Sequence, residues 1–373
     1  MRRPFTMQEE RKRILDMVEN GTITAQEALA LLEELGKQTA PVTPFVPVEK
    51  EYKKSTNNNT DFVEDLKRDF TVMGERFMQF MQGTVDKMKD FEMPFGEPVL
   101  FEEQFAQEDA DFTDISINIA NGKVEILPTE EQHARASVKV KSFKNSTEEE
   151  AKTRFHEEFI FTTEGNKLRL YSDMKTTSVQ VMLYVPTKEY NNISARLFNG
   201  EFIAKNLEAN NFKVKTTNGK VELDNLKFES ADIETVNGSV QVQGVEGETI
   251  EVETMNGRIY VDGKLKEIEG SSVSGHVILT TKDKAARKIE GTAVAGTVEL
   301  YIPKDVSIKG EATSQIGKID VQLADVTHLN QSEQILNKKV GFTKIVDSEA
   351  VPLRVYGDAK TGSVVVRYTV EGE

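Results

Sequence analysis

Pairs of carboxylates two residues apart are the residues of this chain best suited to acid–base chemistry. Glu222 with Asp224, and Glu251 with Glu253, would each lie on one face of a strand, because side chains alternate along strands. Glycoside hydrolysis uses two converging carboxylates. A sugar groove also needs aromatic platforms, and Tyr260 is the only aromatic residue at the outward positions of the regular repeats. Those positions are Lys213, Lys215, Lys220, Glu222, Glu234, Gln241, Glu251, Glu253, Arg258 and Tyr260. The pattern favours a protein that is not an enzyme, with a carbohydrate-active enzyme as the alternative.

The residue types give little support for a metal site or for a nucleophilic catalyst. The chain has no cysteine, which excludes disulfides, thiolate ligands and cysteine nucleophiles. The four histidines have no second histidine at metal-ligand spacing, so a zinc site is not expected. They are His133, His156, His276 and His328. We therefore predict no catalytic, cofactor-binding or metal-binding residue, and no cofactor.

The charge and hydropathy of the chain limit its partners and its location. The net charge of −15 argues against nucleic acid, since phosphate binding requires clustered basic residues. The sequence contains neither an 18-residue apolar run nor the apolar region of a secretory signal. We therefore expect a cytoplasmic protein, with a membrane-associated or cell-surface location as the alternative.

The N-terminal part of the sequence predicts a helical hairpin over residues 1–36. Its second helix begins with Thr24 as the N-cap and Glu27 completing a capping box, and Gly36 ends it. In residues 37–60, Pro41, Pro44 and Pro47 precede a polar stretch without periodicity, which predicts a flexible linker. The hairpin is therefore expected to be tethered, and to dock elsewhere.

Residues 61–95 carry the strongest helical pattern in the chain. At 100° per residue, apolar side chains form one stripe and charged side chains cover the opposite side. Phe and Met dominate this stripe and are typical of adaptable binding surfaces. The helix is either a cap on the strand region, a surface for self-association or a protein partner, or a membrane-surface helix. The candidate partner-binding residues are Phe62, Leu66, Phe70, Met73, Phe77, Phe80, Met81, Met88 and Phe91.

Residues 110–373 change to the two-residue periodicity of strands and contain an internal repeat. The dipeptide Asn-Gly recurs in three steps of 19 residues, and degenerate copies follow at spacings of 18, 21 and 21. A last copy, Thr361-Gly362, follows an insertion at about 326–350. The predicted structural turns are Asn199, Gly200, Asn218, Gly219, Asn237, Gly238, Asn256 and Gly257.

A fixed short period predicts stacked units that cannot bury their apolar faces alone. The fold expected is mainly β: a parallel β-solenoid of about 19–21-residue rungs, in which Asn stacks on Asn and Val on Val. Glycine is expected at each corner because a tight bend favours positive φ, which asparagine also tolerates. Asn-Gly is also the strongest hairpin signal, which leaves a run of antiparallel hairpins as the competing interpretation.

Two segments interrupt the strand pattern. Residues 146–158 predict a short helix, and the insertion at 326–350 predicts a segment that covers an open end of the solenoid. Exposed ends recruit other strands unless they are covered.

The order of these parts resembles the YvlB/LiaX-type proteins of Gram-positive bacteria. The resemblance rests on the run from Ile14 to Thr24, the Glu27-Ala28-Leu29 segment, the Asn-Gly repeats, and the Leu-Tyr-Val-Pro and Leu-Tyr-Ile-Pro strand ends at 183–186 and 300–303. It implies a right-handed β-solenoid of the "putative adhesin" strand-repeat type and a link to the cell-envelope stress response. We therefore predict a non-enzymatic binding or regulatory scaffold that associates through its N-terminal helices, with a peripheral membrane or adhesin-like protein as a further alternative.

Overall fold

The computed structural model describes residues 97–108, 111–143, 147–332 and 337–369. The chain divides into two units, Met1–Val72 and Met73–Glu373, and the described residues all belong to the second. The predicted hairpin (1–36), linker (37–60) and amphipathic helix (61–95) therefore lie outside the described residues.

The described residues are mainly β, with 22 strands and one helix. The N-terminal strands are β1 (Val99–Gln107), β2 (Asp114–Thr129), β3 (Ala134–Ser142), β4 (Ile160–Glu164), β5 (Lys167–Ser172), β6 (Thr177–Pro186), β7 (Glu189–Asn199) and β8 (Phe202–Lys205). The central strands are β9 (Glu208–Asn218), β10 (Val221–Asp224), β11 (Lys227–Asn237), β12 (Val240–Asn256), β13 (Ile259–Ser274), β14 (Val277–Thr281) and β15 (Lys288–Ala295). The C-terminal strands are β16 (Val298–Ile302), β17 (Ile308–Ile316), β18 (Ile319–Gln322), β19 (Thr327–Ser332), β20 (Lys338–Lys344), β21 (Leu353–Thr361) and β22 (Val364–Tyr368). The helix, α1, spans Glu148–Glu158.

The strands form two ladders, and β2, β12 and β13 bend at a corner and contribute to both. The long ladder runs in space β4, β5, β2, β7, β9, β11, β12, β13, β15, β21, β17, β20, β19. The short ladder runs β1, β3, β6, β2, β8, β10, β12, β13, β14, β16, β22, β18. Each rung of the stack adds one strand to each ladder.

The central pairings are parallel and in register with the sequence repeat. Asn199 pairs with Asn218, Asn218 with Asn237, and Asn237 with Asn256. Parallel stacking places like residues on like residues, as the 19-residue period predicts. The competing interpretation, a run of antiparallel hairpins joined by Asn-Gly turns, is wrong.

The rungs are not stacked in sequence order at either end. β2 lies between β5 and β7 in the long ladder, although it precedes both in the chain. β21 lies between β15 and β17, although it follows both. The insertion at 326–350 explains the second case, because β19 and β20 form an antiparallel hairpin beyond β17 before the chain returns to fill the rung below.

Inward-facing side chains of both ladders meet in one core. Along the short ladder, Val221, Val240, Ile259 and Val277 form one inward column, and all are at most 1% exposed. Burying each such side chain contributes about 1.5–3 kcal/mol, so one charged substitution in a column would be costly.

The glycine of each Asn-Gly pair lies at a corner with the preceding rung directly beneath it. A Cβ on Gly219 would lie 1.8 Å from the carbonyl oxygen of Gly200, and a Cβ on Gly238 would lie 1.9 Å from that of Gly219. Gly200 and Gly219 have the positive φ expected at this corner, of 159° and 157°, whereas the asparagines of the repeats with positive φ, Asn206 and Asn225, lie at the opposite corner. Close approach of the rungs adds a second reason for glycine here.

The asparagines form an amide ladder along the stack. The Nδ2 of Asn218 donates to Oδ1 of Asn199 at 2.8 Å, and Asn237 and Asn256 each repeat this bond at 2.9 Å. The ladder begins at Asn121, whose Nδ2 donates to the carbonyl oxygens of Met174 and Lys175. Stacked amides thus satisfy one another at every step.

The helix predicted at 146–158 is confirmed as α1. Thr147 is its N-cap and accepts a hydrogen bond from the backbone N–H of Glu150. Phe155 is 1% exposed and packs against Phe101 and Phe105 of β1, so the helix covers the N-terminal end of the stack. β1 begins ahead of residue 110, where the sequence pattern placed the start of the strand region.

Candidate functional site

The candidate partner-binding stripe between Phe62 and Phe91 lies outside the described residues. The predicted structural turns, in contrast, are all described, and they set the spacing of the stack. Any site among the described residues therefore depends on the outward-facing side chains of the rungs.

The outward side chains of the long ladder form two neighbouring columns, which we call the charged face. The parallel registers bring its side chains into line, and the sign of their charge changes along the stack. The basic end carries Arg196, Lys213 and Lys215, and the acidic part carries Asp232, Glu234, Glu251, Glu253, Glu269, Glu290, Glu311 and Asp358. Sequence reasoning placed several of these residues outward, but it did not detect the separation of charge.

Ion pairs between rungs tie this face together. Lys213 Nζ lies 2.5 Å from Asp232 Oδ2, and Lys215 forms the same kind of pair with Glu234. Lys288 pairs with Glu269 of the neighbouring rung at 2.8 Å and with Glu290 of its own strand at 2.7 Å. Partly exposed pairs of this kind contribute about 0–1 kcal/mol each, so they fix side-chain positions more than they stabilise the fold.

Asp358 is the titratable group of the charged face with the most altered environment. Burial raises the pKa of its carboxyl to about 6; the charge of Lys360 opposes this rise, and the charges of Glu311 and Glu290 add to it. It lies between Thr292 and Thr313 in the register of the ladder. The charge of this face therefore changes near pH 6.

The first candidate acid–base pair, Glu222 and Asp224, lies on β10 in the short ladder. Lys220 Nζ contacts Glu222 Oε2 at 2.7 Å, and this hydrogen bond lowers the pKa of the Glu222 carboxyl. A general acid needs a raised pKa in order to hold a proton at neutral pH. Glu222 is thus suited to an ion pair and not to proton donation.

The second candidate pair, Glu251 and Glu253, lies within the two columns of the charged face. Glu253 is 8% exposed, because side chains of the flanking rungs cover it. The two pairs are on different ladders, so the structure does not bring them together.

A small recess lies at the second corner of the rungs. It has a volume of about 250 Å³ and is lined by Pro128, Thr187, Lys188, Glu189, Asn206, Leu207, Glu208, Asn225 and Lys227. Asn206 and Asn225 have φ of 55° and 52°, and the Asn225 amide donates to Asn206 Oδ1 at 2.6 Å. Its acidic and basic side chains are interspersed, which gives the recess no preference for one sign of charge.

The histidines with described side chains are dispersed. His133 Nε2 lies 3.3 Å from Glu131, and His156 Nε2 lies 3.8 Å from Glu103. Within the described ranges, no group of three or more histidine, cysteine, aspartate or glutamate side chains is arranged to hold a metal ion. No helix of the described residues is long and apolar enough to cross a membrane.

Sequence comparisons connect the chain to known families. Residues 112–344 match the Toastrack DUF4097 family, and residues 9–39 match a SHOCT-like domain. The chain is 31% identical over 215 residues to the uncharacterized protein YvlB of Bacillus subtilis (strain 168). That alignment covers 54% of this chain and 55% of the relative, so the chain spans about half the length of that protein.

Solved structures also align with most of the chain, at low sequence identity and low TM-score. A "putative adhesin" from Bacteroides fragilis NCTC 9343 is 10% identical with a TM-score of 0.41, covering 73% of this chain and 97% of that chain. A "putative lipid binding protein" from Parabacteroides distasonis ATCC 8503 is 14% identical with a TM-score of 0.36, covering 74% and 98%. TM-scores of this size support no statement about the function of the chain.

Proposed function

Because the chain belongs to the Toastrack DUF4097 family, we propose that it is a non-enzymatic binding scaffold. The observation that carries this proposal is the charged face, which repeats on a stack whose spacing is fixed by glycine contacts. A surface held by in-register backbone pairing presents its charges without a cost for ordering the backbone on binding. In this proposal the stack is the right-handed β-solenoid that the resemblance implies.

The partner-binding element in this proposal is the Phe/Met stripe of residues 61–95. Its residues combine large apolar area with adaptable side chains, which suits contact with a protein or with a second copy. The stack then acts as a rigid spacer and presents the charged face as a second contact surface. The resemblance to YvlB-type proteins supports a role in the response to cell-envelope stress.

The proposal is tested by Phe70→Glu combined with Phe77→Glu in the full chain. A matched control, Glu75→Gln combined with Gln79→Glu, alters the polar side of the same segment without changing its net charge. Sedimentation velocity and crosslinking in cells should show higher-mass species for the wild type and the control, and their loss in the Phe variant. If the Phe variant keeps the same species while its circular dichroism is unchanged, the stripe is not the binding element.

The membrane alternative is separated by co-sedimentation of the same proteins with anionic vesicles. Binding of the wild type and the control, lost in the Phe variant, would assign the stripe to a lipid surface instead of a protein.

The stress link is tested by measuring the abundance of the protein in its source bacterium before and after a cell-wall-active antibiotic. Unchanged abundance would contradict that part of the proposal.

A further inference from the structure

The two ladders end differently at the C-terminal end of the stack. The long ladder closes with β20, antiparallel to β17, and with β19, antiparallel to β20. The short ladder ends on β18, which pairs in parallel with β22, and no described strand pairs with its other edge. At the opposite end both ladders finish in antiparallel strands, β4 and β1. Among the described residues, β18 is thus a parallel strand without an antiparallel cover.

The backbone of β18 belongs to a regular hydrogen-bond series that stops there. In successive rungs, the first inward residue of the short strand donates its N–H to a carbonyl of the next rung. Examples are Val298 to Ser363 and Val364 to Lys318, both at 2.9 Å. Ile319 is the next member of this series, and no described rung lies beyond it. Because both backbone groups of a residue in a parallel strand point to the same side, those of Ile319 and Val321 point to the open edge.

Apolar side chains continue beyond the last full rung. Ile319 and Val321 extend the inward columns that pass through Val364 and Val366, which are 0% exposed, yet they are themselves only partly buried. On β20, Val340 pairs with the inward residue Ala312 and is also only partly buried. We call Ile319, Val321 and Val340 the β18 ledge.

We propose that the open edge of β18 binds an extended segment of a partner polypeptide as one further rung. The segment would pair with the backbone groups of Ile319 and Val321, which no described strand pairs with, and place two aliphatic side chains, two residues apart, on the β18 ledge. Its intervening residue would lie beside Asp320, an outward side chain, so a basic or neutral residue is preferred there. The proposal uses no residue of the stripe or of the charged face and stands without the proposed function.

A single strand fits this site better than a second stack. In the long ladder, β20 and β19 already extend two strands beyond the rung that contains β18. Two stacks meeting edge to edge through β18 would bring these hairpins into the same layer, where they would collide. One extended segment instead lies in front of the hairpin, against Val340.

The test uses the full chain and a fluorescein-labelled peptide with the sequence of residues 361–368. In the stack this segment includes β22, the strand that β18 already pairs with, so it carries the aliphatic spacing that the ledge requires. Fluorescence anisotropy should show saturable binding. A peptide with lysine at the positions of Val364 and Val366 should not bind.

Two variants of β18 locate the binding site. Val321→Lys places a charge on the ledge and should weaken binding about tenfold or more, whereas Gln322→Lys on the outward side of the same strand should retain it within about threefold. A second peptide, with lysine at the position of Val365, should bind the wild type more tightly, and Asp320→Lys should abolish that gain without touching the core.

Three results would overturn the proposal. One is the absence of saturable peptide binding to the wild type at protein concentrations up to about 1 mM. A Kd of 1 mM corresponds to a binding free energy of only about 4 kcal/mol. Another is equal binding by the wild type and Val321→Lys. The third is a concentration-dependent dimer that Val321→Lys abolishes, because this would assign the edge to a second copy of the chain.

Discussion

Replacement of Gly238 by alanine would test whether glycine contacts set the spacing of the rungs. A Cβ at this position would lie 1.9 Å from the carbonyl oxygen of Gly219, whereas real Cβ contacts are essentially never shorter than 3.0 Å. The corner would therefore have to move by roughly 1 Å, which is a large fraction of the tolerance of a hydrogen bond.

The cost follows from the bonds that meet at this corner. The backbone N–H groups of Gly219 and Gly238 each donate to the next rung at 3.0 Å, to Asn237 and Asn256 respectively. The side chains of Asn237 and Asn256 add the amide bonds of the ladder. Weakening these bonds, at about 0.5–1.5 kcal/mol each, predicts a loss of about 2–6 kcal/mol in the free energy of unfolding.

A matched control is Gly165→Ala in the turn between β4 and β5. Gly165 has φ of +59°, and a Cβ added there would meet no atom within 4 Å beyond its chain neighbours, so alanine adds backbone strain without a clash. That strain costs about 1–2 kcal/mol. Urea denaturation followed by far-UV circular dichroism compares the two midpoints. If Gly238→Ala shifts the midpoint no more than Gly165→Ala does, rung contact does not explain the glycines.

Three further substitutions test individual side chains. Burial raises the pKa of Asp358 to about 6, so the folded state holds this proton to higher pH than the unfolded state does, and stability falls as pH rises from about 4 through 6. Asp358→Asn should therefore be more stable than the wild type at pH 8, by about 1–3 kcal/mol, and equal to it below pH 4; an equal difference at both pH values would contradict this. Asn237→Asp replaces an amide donor to Asn218 by a carboxylate and should lower the melting temperature at pH 7 more than at pH 3. Tyr190→Phe removes a buried hydroxyl that donates to the Pro186 carbonyl at 2.6 Å, and should cost about 1 kcal/mol in urea denaturation; no loss would show that this bond is neutral.

The central rungs could be predicted from the sequence because their repeat is nearly exact in length. Steps of 19 residues bring Asn199, Asn218, Asn237 and Asn256 into register, and the same step aligns the valines that fill the core. The hairpin interpretation fails because successive rungs pair in parallel, which places each asparagine on the next in the amide ladder.

The order of the rungs at the ends could not be predicted, because every rung carries the same local pattern. The Nδ2 of Asn199 donates to Oδ1 of Asn121, which lies 78 residues earlier in the chain. The strands β5 and β6 lie between them in sequence but pair with the other edge of β2, and no sequence pattern predicts this. The outward positions of Lys213 and Lys215 follow from alternation. The β18 ledge does not, because alternation cannot say which rung is outermost.

The interleaved order explains how the end rungs tolerate degenerate corners. In a simple stack, the last repeat has one neighbour and frays most readily. Here the final rung of the chain, β21 with β22, has a neighbour on both sides, so it gains two interfaces although Thr361 replaces the asparagine of the corner. The position with a single parallel neighbour passes instead to β18, which is only four residues long and is held in place by the chain on both sides. The rung order that gives β21 and β22 two neighbours thus leaves the short edge of β18 without a described partner. A short edge favours the addition of one strand over open-ended edge-to-edge aggregation.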